Sequence, residues 1–595
     1  MEGDTKIAAA QTLPEWNLTD LYAGPKAPEL EVDLKEAEAC ATAFQSTYQG
    51  RLTRLDGVGL AAAIAEYENV LETVYRVTSF GQLLHATHTT DAEVGRFYQT
   101  LQERVNAITT ETLFFELELN AIDDDVLAAQ LDDPAAARYA PWIRDSRVMR
   151  PHQLDEAQEK LLHEKDVAGR SAWVRLFDET LAHLKFDLDG EEKPLTDTLN
   201  QLSDSDGDKR LAAGKALADG LRGSERLFAT ITNTLAKDKE VEDRWRNFDN
   251  PAHPRHLANR VETEVVEALV DAVRESYADL AHRYYGLKAK WMGVDKLDWW
   301  DRNAPLPEDC ERRFTWDEAR TTVLDAYHAF DPGMADTARR FFDYGWIDAP
   351  PREGKNSGAF AHPTVPSAHP YVLLNFHGKS RDVMTLAHEL GHGVHQVLAA
   401  PQGLLLSQTP LTLAETASVF GEMLTFRSML DAETDPARRR VLLAGKVEDM
   451  LNTVVRQIAF HEYETRVHLE RRDGELAPER LGEIWMETQR ASLGPAFNFD
   501  DDYRVLWAYI PHFIHVPFYV YAYAFGDCLV NALYAVLKDG HPGFQAKYLD
   551  MLAQGGAKRH KDLLAPFGLD SSDPDFWRKG LGVISGFIDE LEAAL

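Results

Sequence analysis

The chain has 595 residues, of which 44% are hydrophobic, 27% charged and 10% aromatic, a composition that excludes a disordered polymer and is far too long for a small disulfide-stapled module. Its 63 Lys and Arg against 97 Asp and Glu give a formal net charge of −34 at pH 7, which repels polyanions and argues against a nucleic-acid partner. Cys40, Cys310 and Cys528 lie far apart and form no CxxC, so neither a disulfide framework nor a thiolate metal cage is expected, and a reducing compartment fits best.

Residues 1–4 begin neither a basic segment nor an apolar one, and no run of about 18 or more apolar residues follows, so a soluble cytoplasmic protein with no membrane contact is expected. Nothing in the sequence calls for an obligatory protein partner. From residue 28 to 186 apolar residues recur every three or four positions, as in 60–65 and 91–119, which predicts a helical region. The polar stretch 187–194 interrupts this pattern and predicts a boundary between an N-terminal helical domain, 1–190, and a second domain, 191–595. Helical patterning resumes over 206–291. The proline-punctuated stretches 301–307 and 350–370 read as loops, and loops of such length commonly carry function. The one convincing strand is 370–376, Pro-Tyr-Val-Leu-Leu-Asn-Phe, closed by His377-Gly378. From Arg381 onward the pattern is again helical, with no internal repeat.

Asp382 is placed to cap a helix whose apolar stripe runs Val383, Leu386, Leu390, Val394, Val397, and His388-Glu389-Leu390-Gly391-His392 lies inside it. This is HExxH. At about 3.6 residues per turn the two imidazoles stack one turn apart, able to grip a single Zn²⁺, while Glu389 points beside them toward a water. Polar groups on an otherwise apolar face need partners, and a metal would supply one for all three.

A catalytic zinc takes three protein ligands and leaves one position open. His395 continues the stripe but lies about 10 Å along the axis from His388, too far for a bond of about 2 Å, and is expected to pack. Residues 394–413 contain no carboxylate, so Glu415 is the expected third ligand. A glutamate about 19 or 20 residues after the second histidine, as in thermolysin and the aminopeptidases, is excluded because Leu411 and Thr412 stand there. The pattern HExxHxxGxxH fails at His395 and Leu398. Glu422, seven residues after Glu415 on the same face, is expected to orient a ligating imidazole from outside the metal's own ligand set. Nucleotide use is set aside: Leu373 stands where a P-loop ending at 378–380 needs its first glycine, and the glycines near residue 580 have the wrong spacing for a dinucleotide fingerprint.

His388 to His395 (HELGHGVH) followed by Ala414 to Glu422 (AETASVFGE) resembles the zinc site of the thimet oligopeptidase family, specifically its oligoendopeptidase F branch. The opening 13–22 (LPEWNLTDLY), the loop 354–360 (GKNSGAF) and the stretches at 511–513 and 518–521 resemble further segments of that branch, so the resemblance spans nearly the whole chain. It implies a mainly α, large two-lobed helical protein with a deep central cleft and a small β-sheet at the active site, with 191–595 as the catalytic domain. It also implies one Zn²⁺ per chain and endopeptidase action on short peptides. The branch's loop is closer to GKRSGAY, so Asn356 and Phe360 replace a guanidinium and a phenol, a departure that bears on subsite preference.

His512, His515, Tyr519 and Tyr523 recur at helical spacing on a helix expected to begin near Pro517, with Tyr521 pointing elsewhere. Spacing alone reads as core packing. The resemblance implies that His512 and one or more of Tyr519, Tyr521 and Tyr523 donate to the substrate carbonyl, Tyr519 being favoured; the strand Tyr371 to Phe376, or the loop Gly358, Ala359, Phe360, is expected to pair with substrate backbone as an added strand. Glu389 is then the general base. The alternatives are a peptidase releasing dipeptides from the C-terminus and a non-catalytic helical peptide-binding protein.

Overall fold

The computed structural model describes residues 13–307 and 312–593. Residues 1–4 and Cys310 therefore lie outside the described residues; Cys40 and Cys528 are free thiols. The fold is mainly α, with strands confined to short two- and three-stranded sheets. Among the described residues no helix is long and apolar enough to cross a membrane.

The elements used below are, in chain order, the helices α1 (Pro28–Tyr48), α2 (Gly57–Ala86), α3 (Ala92–Ala121), α4 (His253–Ala258), α5 (Trp316–Phe330), α6 (Pro332–Asp343), α7 (Ser380–Ala399), α8 (Leu411–Ala432), α9 (Val455–Glu470), α10 (His512–His515), α11 (Tyr521–Lys538) and α12 (Phe544–Ala553). The strands are β1 (Phe186–Leu188), β2 (Glu191–Lys193), β3 (Ile347–Asp348), β4 (Phe360–His362) and β5 (Tyr371–Leu373).

By compactness the chain divides into two units, each assembled from three stretches: Met1–Val148, Glu311–Ala432 and Gly540–Gly568 in the first, and Met149–Cys310, Glu433–Asp539 and Leu569–Leu595 in the second. Neither unit begins near residue 190. The stretch expected to mark a boundary there is a β-hairpin inside the second unit, β1 pairing antiparallel with β2. Its turn places Asp189 and Gly190 at φ 54° and 86°, the conformation an Asp-Gly pair adopts readily. Phe186 at its base is fully buried, which ties the polar turn to the core.

In the first unit α1, α2 and α3 enclose a core that includes Phe44, Tyr67, Phe115 and Leu119. Asp91 caps α3 by accepting from the N–H groups of Glu93 and Val94. The three-stranded sheet has the order β3-β5-β4, with β3 parallel and β4 antiparallel to β5. The strand expected at 370–376 is thus the central one, reduced to 371–373, and its continuous apolar run follows from burial on both faces. The edge strand β4 lies within the stretch expected to be loop; three residues, Phe-Ala-His, are too few for alternation to show.

Asp382 does not cap α7 from outside. It sits in the helix's first turn, where Oδ2 accepts from the N–H groups of His377 (2.7 Å) and Lys379 (2.9 Å). In the second unit the helix expected from Pro517 begins instead at Tyr521, because a turn with Phe518 at φ 59° intervenes.

Candidate metal centre

Helices α7 and α8 cross with their backbones in contact, and glycine makes this possible. A Cβ on Gly391 would lie 2.4 Å from Ala417 O and 2.7 Å from Ser418 Cα, and one on Gly393 would strike the Phe341 ring of α6 at 2.5 Å. Tyr327 of α5 donates its hydroxyl to Ala387 O (2.5 Å), and Tyr548 of α12 donates to Thr416 O (2.9 Å), so both helices are also held from behind.

This crossing brings Glu415 to the histidine pair. Glu415 Oε2 is 3.3 Å from His388 Nε2 and 3.5 Å from His392 Nε2, and one ligand atom from each of the three residues falls within 4.8 Å of the others. Ligands about 2.1 Å from a common zinc at tetrahedral angles stand about 3.4 Å apart, so these separations fit a single metal with two nitrogen donors and one oxygen. Ser418, buried on α8, donates its hydroxyl to the same Glu415 Oε2 (2.6 Å). Sequence reasoning missed Ser418, whose only signal was its place three residues after Glu415. Glu422 Oε2 lies 3.2 Å from His388 Nδ1. His395 is buried with Nε2 3.3 Å from Thr409 Oγ1, outside the three-residue cluster.

Without a cation these charges lean on one another. Burial opposes protonation of His388, yet the carboxylates of Glu415 and Glu422 raise it to about 10. Glu415 is pushed up by burial but held at about 2 by His388, His392 and Ser418. Burial lowers His392 to about 4. Glu389 is only 7% exposed, and burial, aided by Glu415, raises it to about 7 against the opposing pull of His388 and the Ala361 backbone N–H. A buried carboxyl group beside a metal-ligand set is placed to take up and return a proton.

Ala361 belongs to β4, an edge strand of the three-stranded sheet, and its carbonyl accepts from Gln396 Nε2 of α7 (3.4 Å). Because β5 is paired on both sides it has no edge to offer, and the expectation that 371–376 could pair with a peptide is withdrawn in favour of the segment leading into β4. Gly358 and Ala359 lead directly into this strand and Phe360 opens it; Gly358 O accepts from Asn375 Nδ2 (3.0 Å), and the Phe360 ring lies 6.4 Å from that of Trp16. Beneath the loop the fully buried Lys355 ammonium donates to Asp348 O, Pro350 O and Leu374 O and pairs with Asp348 Oδ1 at 2.7 Å.

In the second unit His512 Nε2 is 3.3 Å from Tyr523 OH, and the Tyr519 and Tyr523 rings lie 5.1 Å apart. Tyr521 is removed from the candidate substrate contacts: it is fully buried, and its hydroxyl is held by Asn259 Nδ2 (2.8 Å) and His256 Nδ1 (3.1 Å).

The family model described as Peptidase family M3 matches residues 201–583, and that described as Oligopeptidase F matches residues 118–186. The Oligopeptidase PepF of Bacillus subtilis is 27% identical over 598 residues, covering 98% of this chain and 87% of its own. Among solved structures, a Chlamydophila abortus protein aligns with a TM-score of 0.86 at 22% identity over 98% of both chains. Oligoendopeptidase-F from Enterococcus faecium aligns with a TM-score of 0.69 at 21% identity, over 95% of this chain and 99% of its own.

Proposed function

Since the chain belongs to peptidase family M3, we propose that it is a zinc-dependent endopeptidase of short peptides, with His388, His392 and Glu415 holding one Zn²⁺ and Glu389 as general base. The observation that carries this reading is the convergence of two imidazole nitrogens and one carboxylate oxygen at tetrahedral ligand spacing, beside the buried carboxyl group of Glu389. When bound, the zinc supplies a Lewis acid that polarises the scissile carbonyl and brings water at the site to a pKa near neutrality.

Glu389 takes the proton of the attacking water and delivers it to the departing amine, so one group serves as base and then as acid. Glu422 holds the His388 ring through Nδ1, and Ser418 holds the Glu415 carboxylate. The segment Gly358–Phe360 leading into β4 is the main chain that meets an extended peptide, recognising backbone rather than side chains. By the family resemblance, His512 and Tyr519 donate to the oxygen on which charge develops, each well-placed donor contributing about 3–4 kcal/mol. A cavity of about 620 Å³ borders His392 beside Val365, Gln396 and Leu404, with room for a substrate side chain.

The test joins metal analysis of the purified protein to product mapping by mass spectrometry. Stoichiometric zinc, internal cleavage of oligopeptides, resistance of casein, and loss of turnover in Glu389→Gln with metal retained are expected. Successive release of C-terminal dipeptides would replace the endopeptidase reading, and a metal-free protein without turnover would replace it with a binding role.

A further inference from the structure

We propose that Glu464 and Arg255 are positioning residues that lock the turn 516–519 in one peptide orientation, and so set His512, Tyr519 and Tyr523 as a group. The proposal rests on the reading that His512 and Tyr519 serve the substrate. Tyr519 N–H donates to Val516 O (3.1 Å), closing a turn with Pro517 second and Phe518 third at φ 59°. A positive φ at the third position normally calls for glycine, and a bulky aromatic residue adopts it only when its surroundings enforce it.

The enforcement is visible at both poles of the central peptide. Phe518 N–H donates to Glu464 Oε1 of α9 at 2.9 Å, and the carbonyl of the same peptide, Pro517 O, accepts from Arg255 Nε of α4 at 3.4 Å. Turning that peptide over, which would return Phe518 to negative φ, reverses both poles and deprives a buried carboxyl group of its partner. Glu464 is 2% exposed and its Oε2 has no hydrogen-bond partner among the described residues, so the Phe518 N–H is the contact that answers its burial. The Phe518 ring is bedded between His468 and His461, with centroids 4.9 and 5.9 Å away.

On one side of the turn stands α10, fixed by Arg170, which donates to Ile514 O (3.2 Å) and His515 O (2.6 Å). On the other stand Tyr519 and the first turn of α11, which carries Tyr523. The hydrogen bond between His512 and Tyr523 bridges the turn, so its peptide orientation sets the spacing of the three polar groups.

A double-mutant cycle tests this, with kcat and KM read alongside metal content and a folding measurement. Glu464→Gln keeps an oxygen acceptor and is expected to stay within about twofold of wild-type kcat, whereas Glu464→Leu is expected to lose about 10–100-fold in kcat with KM and zinc content little changed. In a His512→Ala, Tyr519→Phe background the same Glu464→Leu change is expected to cost no further kcat. Should Glu464→Leu fail to fold, Arg255→Met releases the other pole and is expected to show the same pattern. Equal losses in both backgrounds, or Gln performing no better than Leu, overturn the proposal. A His512→Ala, Tyr519→Phe enzyme with wild-type kcat overturns the donor reading beneath it instead.

Discussion

Glu422 Oε2 stands 3.2 Å from His388 Nδ1, so a single imidazole is held at both nitrogens, the other facing Glu415 Oε2 at 3.3 Å. Such an outer partner fixes the tautomer that leaves Nε2 free to ligate. Glu422→Ala is expected to weaken zinc binding about 10–100-fold with Glu415 and both histidines intact, measured by chelator competition. Unchanged affinity would strip Glu422 of that role.

Gly391 sits where α7 and α8 touch, and its substitution attacks the site without touching a ligand. Gly391→Ala drives a Cβ into the backbone of Ala417 and Ser418 and is expected to cost at least about 1–3 kcal/mol of stability together with bound zinc. Gly445→Ala, on a helix with nothing within 4 Å of the added Cβ, is the control and is expected to be neutral or stabilising by up to about 1 kcal/mol. Thermal midpoints and metal content of the pair decide it.

Lys355 supports the loop before β4 from within the core. Lys355→Met abandons three backbone carbonyls and a buried carboxylate, while Arg352 still pairs with Asp348. A loss of about 3 kcal/mol is expected in urea unfolding, toward the lower end for a broken buried pair.

Tyr519 and Tyr521 are two residues apart and are expected to separate in kind. Tyr521→Phe removes a hydroxyl that serves Asn259 and His256 and should cost about 1–3 kcal/mol of stability with kcat unchanged. Tyr519→Phe should instead lower kcat by about 10²-fold. A reversed pattern would exchange their roles.

Acid should destabilise the second unit through its buried histidines. Burial depresses His256 and His468 to about 3 and His461 to about 4, so all three stay neutral in the fold below pH 6.5 while the unfolded chain takes up protons. Their contribution is present above the unfolded value near 6.5 and is lost as pH falls toward about 4 for His461 and about 3 for His256 and His468, each by at most about 1.4 kcal/mol per pH unit. Glu464, raised by burial to about 8, works the other way between about pH 4.5 and 8. Stability is therefore expected to fall on acidification through pH 6 to 4, and His461→Leu should flatten the slope if it folds; urea midpoints across that range check it.

The sequence by itself determined the part of the site that lies within one helix. His388, Glu389 and His392 are placed by a period of about 3.6 residues, a local property that needs no partner, and Glu415 was reached because 394–413 offers no other carboxylate. The helical character of most of the chain followed in the same way. The tertiary structure alone decided that Glu415 arrives, since its approach depends on α7 and α8 crossing at Gly391. It also decided that Ser418 faces inward, that the short β4 rather than the apolar β5 lies at a sheet edge, and that Tyr521 is spent on Asn259 and His256. It placed 187–194 as a hairpin inside a unit and broke the expected helix at Phe518. Periodicity reports which face of an element is apolar, whereas edges, crossings and buried partners are properties of pairs of elements distant in sequence, and these exist only once the chain has packed.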